Sequence, residues 1–185
     1  MVIIMKDETK ALRNLCNGMS LATRVLQIGV VVMTVSLGWY AITSPEGYAD
    51  LISPMTTNGK VTITPAITAA LVSLDVMTSV LMLAGLQTIW TFFQSLGREK
   101  PFSANLAILL RRAGIFALSL WGATWLSDTL SLPLLTAYNP PGEHKFAIGF
   151  GSYDFGMLLI VGFLFTMGHA FVLASRIHNE LEQVV

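Results

Sequence analysis

The chain has 185 residues, 54% of them hydrophobic and 12% charged, with a formal net charge of zero and a mean hydropathy of +0.65. Soluble domains carry roughly a quarter charged residues, so this composition describes an integral membrane protein, residues 1–185 forming one domain. A zero charge balance excludes a nucleic-acid binder, which needs a basic surface to neutralise phosphates, and the single cysteine, Cys16, excludes an internal disulfide or a cysteine metal cluster.

Residues 1–20 mix Lys6, Asp7, Glu8, Lys10 and Arg13 with Leu12, Leu15 and Met19 at helical spacing, which predicts a short interfacial helix. Residues 21–43 are apolar apart from Arg24, Gln27 and small hydroxyl residues. Roughly 20 residues cross the hydrocarbon core, so this stretch is a first span, closed by Trp39 and Tyr40 in an interfacial aromatic belt. Pro45, Gly47 and Pro54 punctuate residues 44–65. Within them, Asn58-Gly59 between threonine-rich flanks predicts a short extracytoplasmic β-hairpin, because both turn positions need positive φ. Residues 67–96 form a second span, interrupted by Asp75 and Gln87. At 1.5 Å per residue it reaches roughly 45 Å, so it tilts or protrudes.

Residues 97–102 form a short charged bend. Ser103 is expected to cap a helical lead-in that ends at Arg111-Arg112, ahead of a third span over 113–132. Pro133, Pro140, Pro141 and Gly142 then fall in a loop, so that no span contains an internal proline, and 145–151 reads as a short strand. Asp154 is expected to cap a fourth span over 155–174, followed by a polar tail, 175–185. Of the eleven lysines and arginines, all but Lys60 and Lys145 fall on the side of the termini and the central bend. By the positive-inside rule both ends are cytoplasmic. The expected fold is an all-α membrane protein, a four-transmembrane-helix bundle with a short β-hairpin.

The central run Gly97-Arg98-Glu99-Lys100-Pro101-Phe102-Ser103-Ala104-Asn105, followed by Leu109, Arg111-Arg112 and Gly114, resembles the cytoplasmic loop of the YoaS-like domain-of-unknown-function proteins. The charged ending from Ala174 to Val184 is similar to theirs too, although His178 and Asn179 depart from it. The resemblance implies a bacterial inner-membrane protein with four helices, no established reaction, and genes that often neighbour small helix-turn-helix regulators.

Asp75 lies roughly 12 Å below the outer boundary of its span. A carboxylate at that depth faces a bundle interior or a water-filled cavity and is a functional candidate by default, the plainer reading being a packed, hydrogen-bonded group. Asp128, on a stripe with Trp121 and Trp125, and His169, beside Gly168, complete the candidate intramembrane polar site. Together with Glu143 and Asp154, Asp75 and Asp128 would make an acidic outer pocket for a hard cation, although interfacial or capping roles explain Asp128 and Asp154 more simply. No two-histidine metal spacing, P-loop lysine or serine elbow occurs, so neither an enzyme nor a metal or cofactor is expected.

Arg98, Lys100, Arg111, Arg112 and Arg176 form a candidate cytoplasmic surface for a protein partner or anionic lipid. Ala113, Ala117, Ser119, Ala123, Gly156, Gly162 and Gly168 permit close helix approach, within the bundle or between copies of a homo-oligomer. The expected function is that of a non-enzymatic inner-membrane sensor, regulator or protective factor acting through partner contacts. The alternative is a small ion-coupled transporter or ligand-binding protein that uses Asp75.

Overall fold

A computed structural model of the chain describes residues 2–52, 64–98, 104–139, 144, 146, 148 and 151–183, with backbone only for 2–9, 49, 52, 98, 104, 152 and 175–183. They form five helices: α1 (Val2–Thr43), α2 (Pro45–Ile52), α3 (Pro65–Arg98), α4 (Ala104–Thr136) and α5 (Ser152–Gln183). The four long ones are each long and apolar enough to cross a membrane.

The helices outrun the apolar stretches on which the spans were predicted. In α1 only the isolated Gly18, Gly29 and Gly38 weaken the helix. Each costs about 1 kcal/mol against alanine, too little to stop a helix that packs elsewhere. The expected interfacial helix and first span are therefore one 42-residue rod, about 63 Å long and twice the thickness of a hydrocarbon core. Likewise the lead-in to Arg112 is continuous with the third span, and α5 continues through most of the predicted tail. Pro133 lies inside α4, contrary to the expected proline-free spans. It offers no N–H to the Thr129 carbonyl, so α4 gives up one bond a single turn before its end and continues to Thr136.

Segment 44–65 differs most from expectation. Ser44 closes α1 by donating its N–H to Tyr40, and its own carbonyl accepts the Tyr48 N–H, 3.0 Å away, as the first bond of α2. Pro45 occupies the first helical position, where its missing N–H is harmless, and Glu46 meets the positive end of the helix. The start of the presumed loop is thus a helix. The hairpin expected around Asn58-Gly59 lies outside the described residues, and no strand occurs among the described ones. Thr64, expected in the second hairpin strand, instead caps α3, its Oγ1 accepting the Ile67 N–H and its carbonyl the Thr68 N–H, with Pro65 again first in the helix. Of the strand expected over 145–151, the described residues Phe146, Ile148 and Gly151 belong to no regular element.

The long helices pack in chain order, α1 on α3, α3 on α4 and α4 on α5, each pair antiparallel. The four-span architecture is present as an open row, with α4 the most enclosed: 33% of its apolar window is buried, against 6% in α1. Glycine permits the closest approach. A Cβ built on Gly168 would stand 3.5 Å from the Arg111 backbone nitrogen, so α5 crosses α4 backbone to backbone there. Gly156 and Gly162 instead face open space. At the α2 end, Ala41, Tyr48, Ile67, Leu71 and Leu135 bring α1, α2, α3 and α4 into one cluster. At the other end Cys16 is buried, with its Cβ 3.4 Å from a Cβ built on Gly97.

Candidate functional site

Asp75 does face a neighbouring element. The Tyr48 hydroxyl donates to its Oδ2 at 2.5 Å. Tyr48 is 1% exposed, its ring held in the apolar cluster at the α2 end. Burial, and the bond to Asp75 with its negative charge, push the Tyr48 hydroxyl well above the ordinary tyrosine range, so it remains the donor at any physiological pH. A hydrogen bond to a charged group contributes about 1.5–3 kcal/mol. The Tyr48 to Asp75 bond thus fastens α2, outside the spans, to the interior of α3.

Ser79, the next residue of α3 on the same face, accepts from Thr34 Oγ1 of α1 at 2.8 Å, while Thr34 lies against the Val30 carbonyl of its own helix. A groove of about 200 Å³ between α1 and α3 is lined by Thr34, Gly38, Tyr48, Val72, Asp75 and Ser79, among others. Ligand pockets usually enclose roughly 300–1,000 Å³, so the groove suits an ion or a few waters rather than a metabolite.

Further along the same seam, Arg24 and Gln27 of α1 meet Gln87 of α3, with Arg24 stacked on Trp90. From Ser79 to Gln87 is roughly 12 Å along the helix, and the α3 residues between them, Val80 to Leu86, are all apolar or glycine. The seam holds two separate polar stations, one around Asp75 and one around Arg24, with no polar chain linking them.

The other two expected members of the site lie elsewhere. Asp128 is exposed on α4, near enough to Asp154 for the two carboxylates to repel one another. Asp154 is not the N-cap of α5 but lies in its first turn. From there its Oδ2 reaches back to the Gly151 N–H at 2.6 Å, while its Oδ1 accepts the Trp121 indole N–H at 2.9 Å. Trp121 lies roughly 22 Å along α4 from Thr136, so α5 starts opposite the middle of α4. Before that, His144 Nδ1 passes the Thr136 carbonyl at 2.9 Å.

His169 is exposed in a groove of about 500 Å³ between α4 and α5, shared with Arg111. Asp75 therefore lies on the seam between α1 and α3, while Asp128 and His169 lie at separate points along the α4 and α5 pair. The acidic outer pocket is not assembled from the described residues, none of which form a metal-binding group of three, and Glu143 lies outside them. On the expected contact surface Arg111 and Arg112 are exposed, Arg98 ends α3, Arg176 lies within α5, and Lys100 is outside the described residues.

Tyr48 and the Arg24 to Gln87 contact were not anticipated. Tyr48 had a local signal, the Ser-Pro-Glu helix start at residues 44–46. The second joins residues 63 apart in sequence and has none. In comparisons with family models, curated proteins and solved structures, nothing matches this chain.

Proposed function

We propose that the protein is a non-enzymatic membrane sensor, regulator or protective factor that works through contacts with other membrane components, with the Tyr48 to Asp75 joint holding its working conformation. The observation that carries this reading is the engagement of Asp75: its carboxyl is tied to a helix outside the spans, beside a groove too small for a metabolite. A charged group in a span costs energy and is kept for a purpose, and here the purpose is to couple α2 to the seam between α1 and α3.

The exposed Arg111 and Arg112 support contacts with a partner or with anionic lipid at the end where α1 starts. The open row of helices leaves broad apolar faces for lipid or a second copy of the chain. The resemblance of residues 97–114 to the YoaS-like proteins is in keeping with this reading, with both termini cytoplasmic and the chain in a bacterial inner membrane. Against an ion-coupled transporter stands the apolar stretch that separates the stations at Asp75 and Arg24.

Reconstitution tests the proposal. In liposomes holding a pH-sensitive dye and carrying an imposed sodium or proton gradient, the protein should give no flux above empty vesicles. Cross-linkers placed at Arg111 and Arg112 should capture a defined membrane partner in cells. Flux that disappears in Asp75→Asn would overturn the proposal in favour of transport.

A further inference from the structure

Arg24 takes no part in the joint at Asp75, and its depth is informative. With the end of α1 and the start of α3 at one membrane boundary, Arg24 lies roughly 28 Å from Thr43 and Gln87 roughly 33 Å from Pro65 along their helices. The hydrocarbon core is about 30 Å thick. Arg24 and Gln87 therefore reach the opposite boundary together, at the level of the phosphates in the leaflet on the side where α1 starts.

The guanidinium is fixed there in one orientation. Its Nη1 donates to Gln27 Oε1 at 2.9 Å and to Gln87 Oε1 at 3.3 Å, while Gln27 Nε2 donates to the same Gln87 oxygen at 3.1 Å. Its carbon stands 3.7 Å from the centroid of the Trp90 ring. Its contacts among the described residues are amides and an indole, none of them a carboxylate, so its positive charge is not neutralised by them.

Both amide bonds fall on Nη1. That leaves Nε and Nη2, the edge with which arginine grips a phosphate through two parallel bonds. On the membrane side of Arg24, Val25 and Ile28 are more than half exposed, an apolar collar at the depth where acyl chains begin.

We propose that Arg24, held by Gln27, Gln87 and Trp90, binds the phosphate of an anionic phospholipid, with the acyl chains lying along Val25 and Ile28. Stacking and two amide bonds settle the side chain before the lipid arrives, which reduces the ordering cost of binding. A soluble anion shares the phosphate chemistry but gains nothing from the apolar collar.

Native mass spectrometry of the full-length, delipidated protein in detergent, titrated with phosphatidylglycerol, tests this directly. The wild type should bind one copy with clear preference over phosphatidylcholine. In Arg24→Gln that affinity should fall at least about tenfold, the loss of a charge-assisted pair. Arg24→Lys, which keeps the charge but not the two-pronged geometry, should fall between them, and Arg13→Gln, far outside this boundary, should match the wild type. Inorganic phosphate at the same concentration should not displace the lipid. Equal lipid affinity in wild type and Arg24→Gln would overturn the proposal, as would equal affinity in wild type and Arg24→Lys should Arg24→Gln fail to fold. Displacement by inorganic phosphate would replace it with a site for a soluble anion.

Discussion

Tyr48→Phe isolates the hydroxyl that joins α2 to α3, because the phenylalanine ring still fills the space among Ala41, Ile67, Leu71 and Leu135. It removes the donor at 2.5 Å from Asp75 and leaves a half-buried carboxyl with an unfilled acceptor. Losing a hydrogen bond to a charged group costs about 1.5–3 kcal/mol, and partial exposure of Asp75 places the expected loss near the low end, about 2 kcal/mol. In an Asp75→Leu background the acceptor is already gone. There Tyr48→Phe should cost almost nothing, or stabilise slightly by removing an orphaned buried hydroxyl. The coupling between the two positions should therefore be about 2 kcal/mol, within the range for residues in direct contact. Reversible unfolding in mixed micelles, followed by tryptophan fluorescence and helical circular dichroism for the four variants of the cycle, measures it. If Tyr48→Phe costs the same in both backgrounds, the bond contributes nothing and α2 is held by its ring alone.

Other outcomes follow from the same geometry. Tyr48 should ionise only above the ordinary tyrosine range, since it is buried and hydrogen-bonded to Asp75. Its native pKa lies above the unfolded value of 10.0, so the stability it contributes is complete below pH 10 and is lost as pH rises through the native value. A tyrosinate absorbance titration should therefore show a Tyr48 component, absent from Tyr48→Phe, that appears only as the protein unfolds. Gly168→Leu should cost about 1–3 kcal/mol by pushing α5 off the Arg111 backbone, whereas Gly168→Ala and Gly162→Leu should be close to neutral in thermal unfolding. Asp154→Ala should lose about 1–2 kcal/mol, with both the Gly151 N–H and the Trp121 indole left without that acceptor, and Asp154→Asn should lose less.

The four spans were legible because each is a long apolar run, and the composition of such a run follows from the solvent around it. Their true ends were not. A helix stops at a breaker, not at the membrane surface, and no proline interrupts residues 2–43, so α1 extends far past the first apolar residue. Pro133 misled in the opposite direction, since the loss of one bond near its end does not stop a helix that packs against two neighbours. Residues 44–65 were read from their prolines and glycines as loop, although a proline after a capping serine starts a helix as readily as it ends one.

Asp75 stood out in the sequence by its cost in a membrane, but its partner did not, because Tyr48 lies 27 residues away behind that misread segment. Asp128 and His169 were chosen by the same rule of intramembrane polarity. That rule marks single residues and says nothing about the register between helices, which alone decides that Asp128 meets Asp154, and not Asp75. Arg24 was counted only as a topological charge, and its amide and indole partners emerge when α1 and α3 are laid side by side.

The central claim, that Asp75 is a closed joint and not part of an aqueous path, is tested most directly by cysteine accessibility. Single cysteines at Glu46, Asp50, Val72, Val76 and Ser79, in a Cys16→Ser background, would be exposed in membranes to an impermeant maleimide from each side in turn. Glu46 and Asp50 are exposed on α2 and should label from one side only, while Val72, Val76 and Ser79 stay unlabelled from both. Labelling at Ser79, above all from the side opposite α2, would mean that water reaches through the seam and would contradict the account.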